Sequence, residues 1–179
     1  VTYPGQTYAP GISTPGHTGN LGTPNPTVAG QVVTMLADAG ESVAAAESCT
    51  GGWVAKALTD IAGSSAVFGV GLVTYSNAAK QQFLNVPDFV LDKHGAVSRE
   101  TVTAMAEGLR AISGADYAVA VSGIAGPDGG SEDKPVGTVW FAWARRDGDP
   151  PLTTGMHRFE GNRDEVRRQA VLTALAGLL

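Results

Sequence analysis

Residues 42–63 read SVAAAESCTGGWVAKALTDIAG: a short apolar run, a glycine-bearing turn, then apolar residues at helical spacing. SVAAA (42–46) is too short and too apolar for a surface helix and reads as a buried strand. From Thr50 to Ile61, residues Val54, Ala57, Leu58 and Ile61 mark one helical face, and Gly63 follows its end. A buried strand feeding a helix through a tight turn is the opening half of a βαβ unit.

Working outward, the same alternation recurs. Upstream, Val28, Val32, Met35 and Leu36 recur at helical spacing and stop at Gly40, a good C′ residue. Downstream, AVFGVGLVTY (66–75) is β-rich, and its two glycines suggest a bulge or a close backbone approach. NAAKQQFL (77–84) predicts a short helix stopped by Pro87. Ser98 is an N-cap candidate for a long helix striped by Val102, Met105, Ala106, Leu109 and Ile112. ADYAVAVSG (115–123) is another buried strand, followed by the loop IAGPDGGSEDKP (124–135). Residues 136–144 and 154–159 form a strand pair across the turn RRDGDPP. Arg163–Leu179 closes the chain as an amphipathic helix with Val166, Ala170, Val171, Ala174, Leu175 and Leu178 facing inward. The expected fold is α/β: a single three-layer α/β/α domain with a mixed, mostly parallel sheet and a late antiparallel hairpin.

Composition bounds the function. A chain of 179 residues suits one domain of roughly 100–200 residues. Residues 1–26 differ from the rest: they hold five of the ten prolines and five glycines, and the first charged side chain is Asp38. Such a stretch cannot build its own core. It reads as an extended Pro/Gly-rich tail, either a floppy arm or a segment that packs across a neighbouring subunit, with the folded domain at 27–179. One cysteine excludes a disulfide framework, and three scattered histidines match no metal spacing. Twelve Lys+Arg against seventeen Asp+Glu, a net charge of −5, argues against a broad nucleic-acid surface. No apolar stretch has the length of a membrane span, and no signal peptide is expected, so the reading is cytoplasmic.

Four segments could carry chemistry. AESCTGGWVAK (46–56) lies where a strand ends and a helix begins, the edge at which open α/β sheets bind ligands. Ser48, Cys49, Thr50, Gly51 and Gly52 would present backbone N–H groups there, suited to an anion or an oxyanion, or would simply cap the helix. Ser48 and Cys49 compete as nucleophile, and Cys49 could equally be a thiol sensor or a small buried filler. In VTYSNAAK (73–80), Tyr75 or Lys80 is the candidate to accept a serine proton. SGIAGPDGGSEDKPVGT (122–138), with Gly123 and Gly126, could cradle a phosphate or be a structural turn; it is neither a Walker A loop nor GxGxxG. In FEGNRDEVRR (159–168), Arg163 stands at a helix start, against the dipole preference, and is the arginine suited to phosphate or carboxylate. Arg167 and Arg168 read as an ordinary solvated face. His94 reads as the end of a short helix, and Trp53, Trp140 and Trp143 as core or interface.

Taken in order, AESCTGG, DIAGSSAVFGVGLVTYSNAAK, HGAVS, SGIAGPDGGSEDKPVGTVWFA and GNRDEVRRQAV resemble the CinA C-terminal domain family over about residues 28–179. Stand-alone members of that family are nicotinamide-nucleotide amidohydrolases. The resemblance implies hydrolysis of the carboxamide of nicotinamide mononucleotide to nicotinate mononucleotide and ammonia, with no metal and no cofactor. It implies Ser48 as nucleophile, with Tyr75, Lys80 and Arg163 as the other polar positions of the site. In the mechanism these residues suggest, amides of Thr50, Gly51 or Gly52 would hold the oxyanion, and Arg163 with the glycine-rich loop that includes Gly123 and Gly126 would take the substrate's charge. The pyrophosphatase activity of longer members belongs to an additional N-terminal domain and is not carried over. A catalytically silent nucleotide-binding module that regulates a partner is the alternative. A homodimer is expected from the apolar end at Leu178 and Leu179.

Overall fold

The computed structural model describes residues 27–148 and 150–179; the tail expected at 1–26 lies outside them. In chain order the elements are α1 (Val28–Ala39), β1 (Val43–Glu47), α2 (Trp53–Thr59), a 3-10 turn (Ser64–Ala66), β2 (Phe68–Val73), α3 (Asn77–Leu84), α4 (Asp88–His94), α5 (Arg99–Ser113), β3 (Tyr117–Gly123), β4 (Thr138–Arg145), β5 (Leu152–Arg158) and α6 (Arg163–Ala176). The strands form one sheet in the order β2-β1-β3-β4-β5. β1 pairs in parallel with β2 and β3, whereas β4 is antiparallel to both its neighbours. Only β4 therefore runs against the common direction. The helix expected over 50–61 is shorter, because residues 48–52 are consumed by the turn that enters it.

Alternation along the strands sorts the core into two layers. Val43, Ala45, Val119, Val121, Val139 and Phe141 face α1, α2 and α6. Ala44, Ala46, Ala118, Ala120, Ala142 and Ala144 face α5 with α3 and α4. Under α5 the second face is floored largely by alanine methyl groups on three adjacent strands, with Trp140 of β4 packed beside them, which lets α5 lie close on the sheet. The two glycines of β2 have separate jobs. Gly69 falls where the register with β1 slips, and a Cβ on Gly71 would stand 3.0 Å from that of Ala55 in α2.

Caps set the ends. Thr27, Ser76, Ser98 and Asn162 each accept an amide of the helix they open. Asn162 completes a capping box with Glu165, which starts α6 at Arg163. Gly40 and Gly114 close α1 and α5 in the left-handed region.

Gly108 of α5 is where α3 docks: a Cβ there would overlap the carbonyl of Leu84. Alanine in a helix interior ordinarily gains about 1 kcal/mol over glycine, but forced overpacking costs about 1–3 kcal/mol. The obstacle here is backbone, so the second effect wins. Gly108→Ala should lower the melting temperature and, by shifting α3, slow any reaction that uses Lys80. An unchanged melting curve would show that α3 has room to retreat.

Candidate active site

The sheet reverses its winding beside β1. The chain leaves β1 through α2 to reach β2 on one side, then crosses by α3–α5 on the opposite face to reach β3 on the other. The crevice outside the carboxyl ends of β1 and β3 is the topological switch point, where ligands bind in such sheets. Ser48 follows β1 immediately, and its amide bonds the carbonyl of Val121 in β3 at 2.9 Å. Tyr75 follows β2, and Gly123 ends β3.

Lys80, on the first turns of α3, points under this edge with no exposed surface. Its Nζ donates to the Ser48 hydroxyl at 3.2 Å and to the backbone carbonyls of Thr74 at 2.8 Å and Tyr75 at 3.3 Å. No carboxylate pairs with it among the described residues. Burial without a counter-ion disfavours the ammonium and lowers its pKa below the usual lysine value, the nearby Cys49 opposing this only in part. Ser48 keeps 8% of its surface open. The hydroxyls of Thr50 and Thr74, buried on either side, have no hydrogen-bond partner among the described residues.

Tyr75 is 60% exposed. Lys80 reaches its backbone and not its phenol; the phenol oxygen instead accepts from Arg163 Nη2 at 3.2 Å. Arg163 Nη1 donates to the carbonyl of Gly126 at 2.7 Å, so the first residue of α6 ties the glycine-rich loop to the tyrosine. Gly126 has φ +82°, and its Cβ would collide with Val136. Lys134 at the far end of this loop donates to the carbonyl of His94 at 2.7 Å. Thus the structure brings Ser48, Lys80, Tyr75, Gly126 and Arg163 to one edge. His94 ends α4, its Nδ1 3.6 Å from Glu100. Among the tryptophans, Trp143 donates to Ala174, and Trp53 lies beneath the Arg167 guanidinium.

Cys49 is a different matter from Ser48. Its side chain is buried, and burial pushes the thiol up to about 12, with Glu47 adding to the rise and Arg167 and Lys80 opposing it. A thiolate is the reactive form, so burial works against chemistry at this sulfur.

Two residues of the turn were not legible as such. Glu47 is 1% exposed, yet its carboxylate accepts the amides of Gly52 (3.0 Å), Val54 (3.0 Å) and Ala55 (2.9 Å). An ionisable residue ending an otherwise apolar strand was the available signal. Arg167, expected on a solvated face, turns inward: Nε donates to the carbonyl of Cys49 at 3.0 Å and Nη2 to that of Thr50 at 2.9 Å. The amides are also partly committed. Gly51 N–H donates to the Ser48 carbonyl and Gly52 N–H to Glu47. That of Thr50 donates to no other backbone or side-chain group among the described residues.

A serine hydroxyl held against a buried lysine is a nucleophile–base pairing that recurs on unrelated folds. The chain belongs to the CinA C-terminal domain family, whose model matches residues 25–179. It is 57% identical over 148 residues to the nicotinamide-nucleotide amidohydrolase PncC of Escherichia coli (strain K12), covering 83% of this chain and 88% of that one. It is 56% identical over 137 residues to the nicotinamide-nucleotide amidohydrolase PncC of Pseudomonas putida, covering 76% and 84%. Among solved structures, the competence/damage inducible protein CihA from Agrobacterium tumefaciens superposes with a TM-score of 0.82 at 47% identity, over 84% of this chain and 91% of that one. The α/β/α architecture is thus that of the family.

Proposed function

We propose that this chain hydrolyses the carboxamide of nicotinamide mononucleotide, giving nicotinate mononucleotide and ammonia, with Ser48 as nucleophile. The relatives named as amidohydrolases support the reaction, and the 3.2 Å contact between Lys80 Nζ and Ser48 Oγ carries the assignment of roles. In its neutral form Lys80 accepts the serine proton as Oγ attacks the amide carbon. The carbonyl becomes a tetrahedral oxyanion that takes the Thr50 amide as donor, the one of the three expected donors Thr50, Gly51 and Gly52 whose N–H is not engaged elsewhere in the turn. As the C–N bond breaks, Lys80 returns the proton to the departing ammonia. Water, deprotonated in turn by Lys80, then attacks the acyl-serine and releases the carboxylate.

Arg163 and the 123–130 loop take the 5′-phosphate in this reading. Arg163 is exposed, and its position is fixed by Tyr75 and Gly126. Tyr75 orients that guanidinium and offers its ring to the substrate. The reading also takes the chain as a cytoplasmic homodimer. Leu178 is part of the core and does not support this, but Leu172 of α6 and Leu179 beyond its end are exposed. Among the described residues no helix is long and apolar enough to cross a membrane.

The test is ammonia release from nicotinamide mononucleotide, nicotinamide riboside and free nicotinamide. Hydrogen bonds to a charged group are worth about 1.5–3 kcal/mol each. The riboside and the free base lack the phosphate, so kcat/KM should fall at least about tenfold for each hydrogen bond that the phosphate would have accepted. Equal turnover of the riboside would remove the phosphate from the reading. Tight binding of the mononucleotide with no ammonia would favour a silent binding module instead.

A further inference from the structure

The Cys49–Thr50 and Thr50–Gly51 peptides are gripped from outside by one side chain. Arg167 presents its Nε/Nη2 edge to two successive carbonyls, those of Cys49 and Thr50. Its guanidinium lies over the Trp53 ring, with Cζ 5.3 Å from the centroid. It pairs with no carboxylate among the described residues. A guanidinium spent on backbone carbonyls is fixing a peptide orientation and not neutralising a charge.

A trans peptide sets the direction of the amide that follows. The carbonyl of one residue and the N–H of the next point to opposite sides of the unit. With the Cys49 carbonyl held toward Arg167, the Thr50 N–H must point away from it. With the Thr50 carbonyl held likewise, the Gly51 N–H points away too, and it meets the Ser48 carbonyl at 3.1 Å. Both amides are therefore aimed at the Ser48 side of the turn, and the Thr50 amide arrives there unspent. A cation on the carbonyl also draws electron density from the peptide and makes its N–H a stronger donor.

We propose that Arg167 is a positioning residue for the amide hydrolysis, clamping the two carbonyls so that the Thr50 N–H is aimed at the oxyanion formed on attack by Ser48. The inference rests on the proposed reaction. Arg167 touches no reacting atom, so its loss should leave substrate affinity alone and weaken transition-state stabilisation. Losing an oxyanion donor outright costs about 10²–10³ in kcat. Misaiming one should cost less, about 10–100-fold.

Arg167→Met and Arg167→Lys, with Arg168→Ala as a control on the same helix, should be assayed for ammonia release from nicotinamide mononucleotide across pH. For both Arg167 variants kcat should fall about 10–100-fold with KM within about threefold of wild type. The pH at which kcat rises should not move, because it belongs to Lys80. Arg168→Ala should behave as wild type. If the methionine variant fails to fold, the lysine variant decides, since it keeps the charge and loses the two-pronged edge. A folded Arg167 variant with wild-type kcat, or one whose loss is all in KM, overturns the inference while the reaction stands. A wild-type chain silent on the mononucleotide overturns both.

Discussion

Ser48→Ala should abolish ammonia release, lowering kcat by about 10⁴-fold or more, because without the hydroxyl no acyl-enzyme can form. The side chain is small and 8% exposed, so the fold should tolerate the change. Its companion control is Cys49→Ala. The two residues are adjacent in sequence, yet only the hydroxyl meets Lys80, and the neighbouring thiol is pushed up to about 12 by burial. Cys49→Ala should keep most of the turnover. The reverse result, with Ser48→Ala active and a folded Cys49→Ala dead, would transfer the chemistry to sulfur.

Lys80→Met should lower kcat about 10³-fold, within the range of general-base losses. Lys80→Arg separates the two ways in which a cation could act. Arginine retains a positive charge but does not give up its proton in proteins. If Lys80 works as a base, arginine should be as inactive as methionine; substantial activity in Lys80→Arg would show that charge alone suffices. The wild-type pH profile gives an independent check. The base is the neutral amine, so kcat should rise with pH and level off above the folded pKa of Lys80. That pKa lies below the usual lysine value because the amine is buried, so the rise should be centred below it as well. The stability consequence has the same sign. The unfolded chain holds this proton to higher pH than the folded one, so the Lys80 contribution to stability increases with pH between the two values.

The order of elements was legible because each has its own period and punctuation. The NAAKQQFL helix begins and ends at the residues expected, with Ser76 before it and Pro87 beyond. The four site segments were also legible one by one, since each follows a strand or opens a helix. Their division of labour was not. Tyr75 and Lys80 lie five residues apart and read as a pair, but the strand end turns the phenol outward to Arg163 while α3 carries the amine beneath. Arg163 and Arg167 are one helical turn apart, and the sequence singled out only the first, because it opens the helix, while the second read as a solvated face. Only the seating of α6 against α2 sends one to the loop and the other into the turn at 49–50. Glu47 was hidden by its success: fully sheltered, it looks like a lapse in an apolar strand until its three amide partners are seen.

The methyl-lined face of the sheet has a bearing on how the enzyme tolerates change. Six alanines set the height at which α5 rides, and Gly108 passes that height on to the helix that carries the amine. The gap between nucleophile and base is in effect gauged from behind, by residues some distance from any substrate. Swapping one of those alanines for valine would add carbon to a fully buried layer, and its penalty should register in turnover as well as in melting. Random mutagenesis should accordingly find this layer nearly as intolerant as the reactive edge itself, whereas the opposite face, built of larger interdigitated side chains, has more ways to repack.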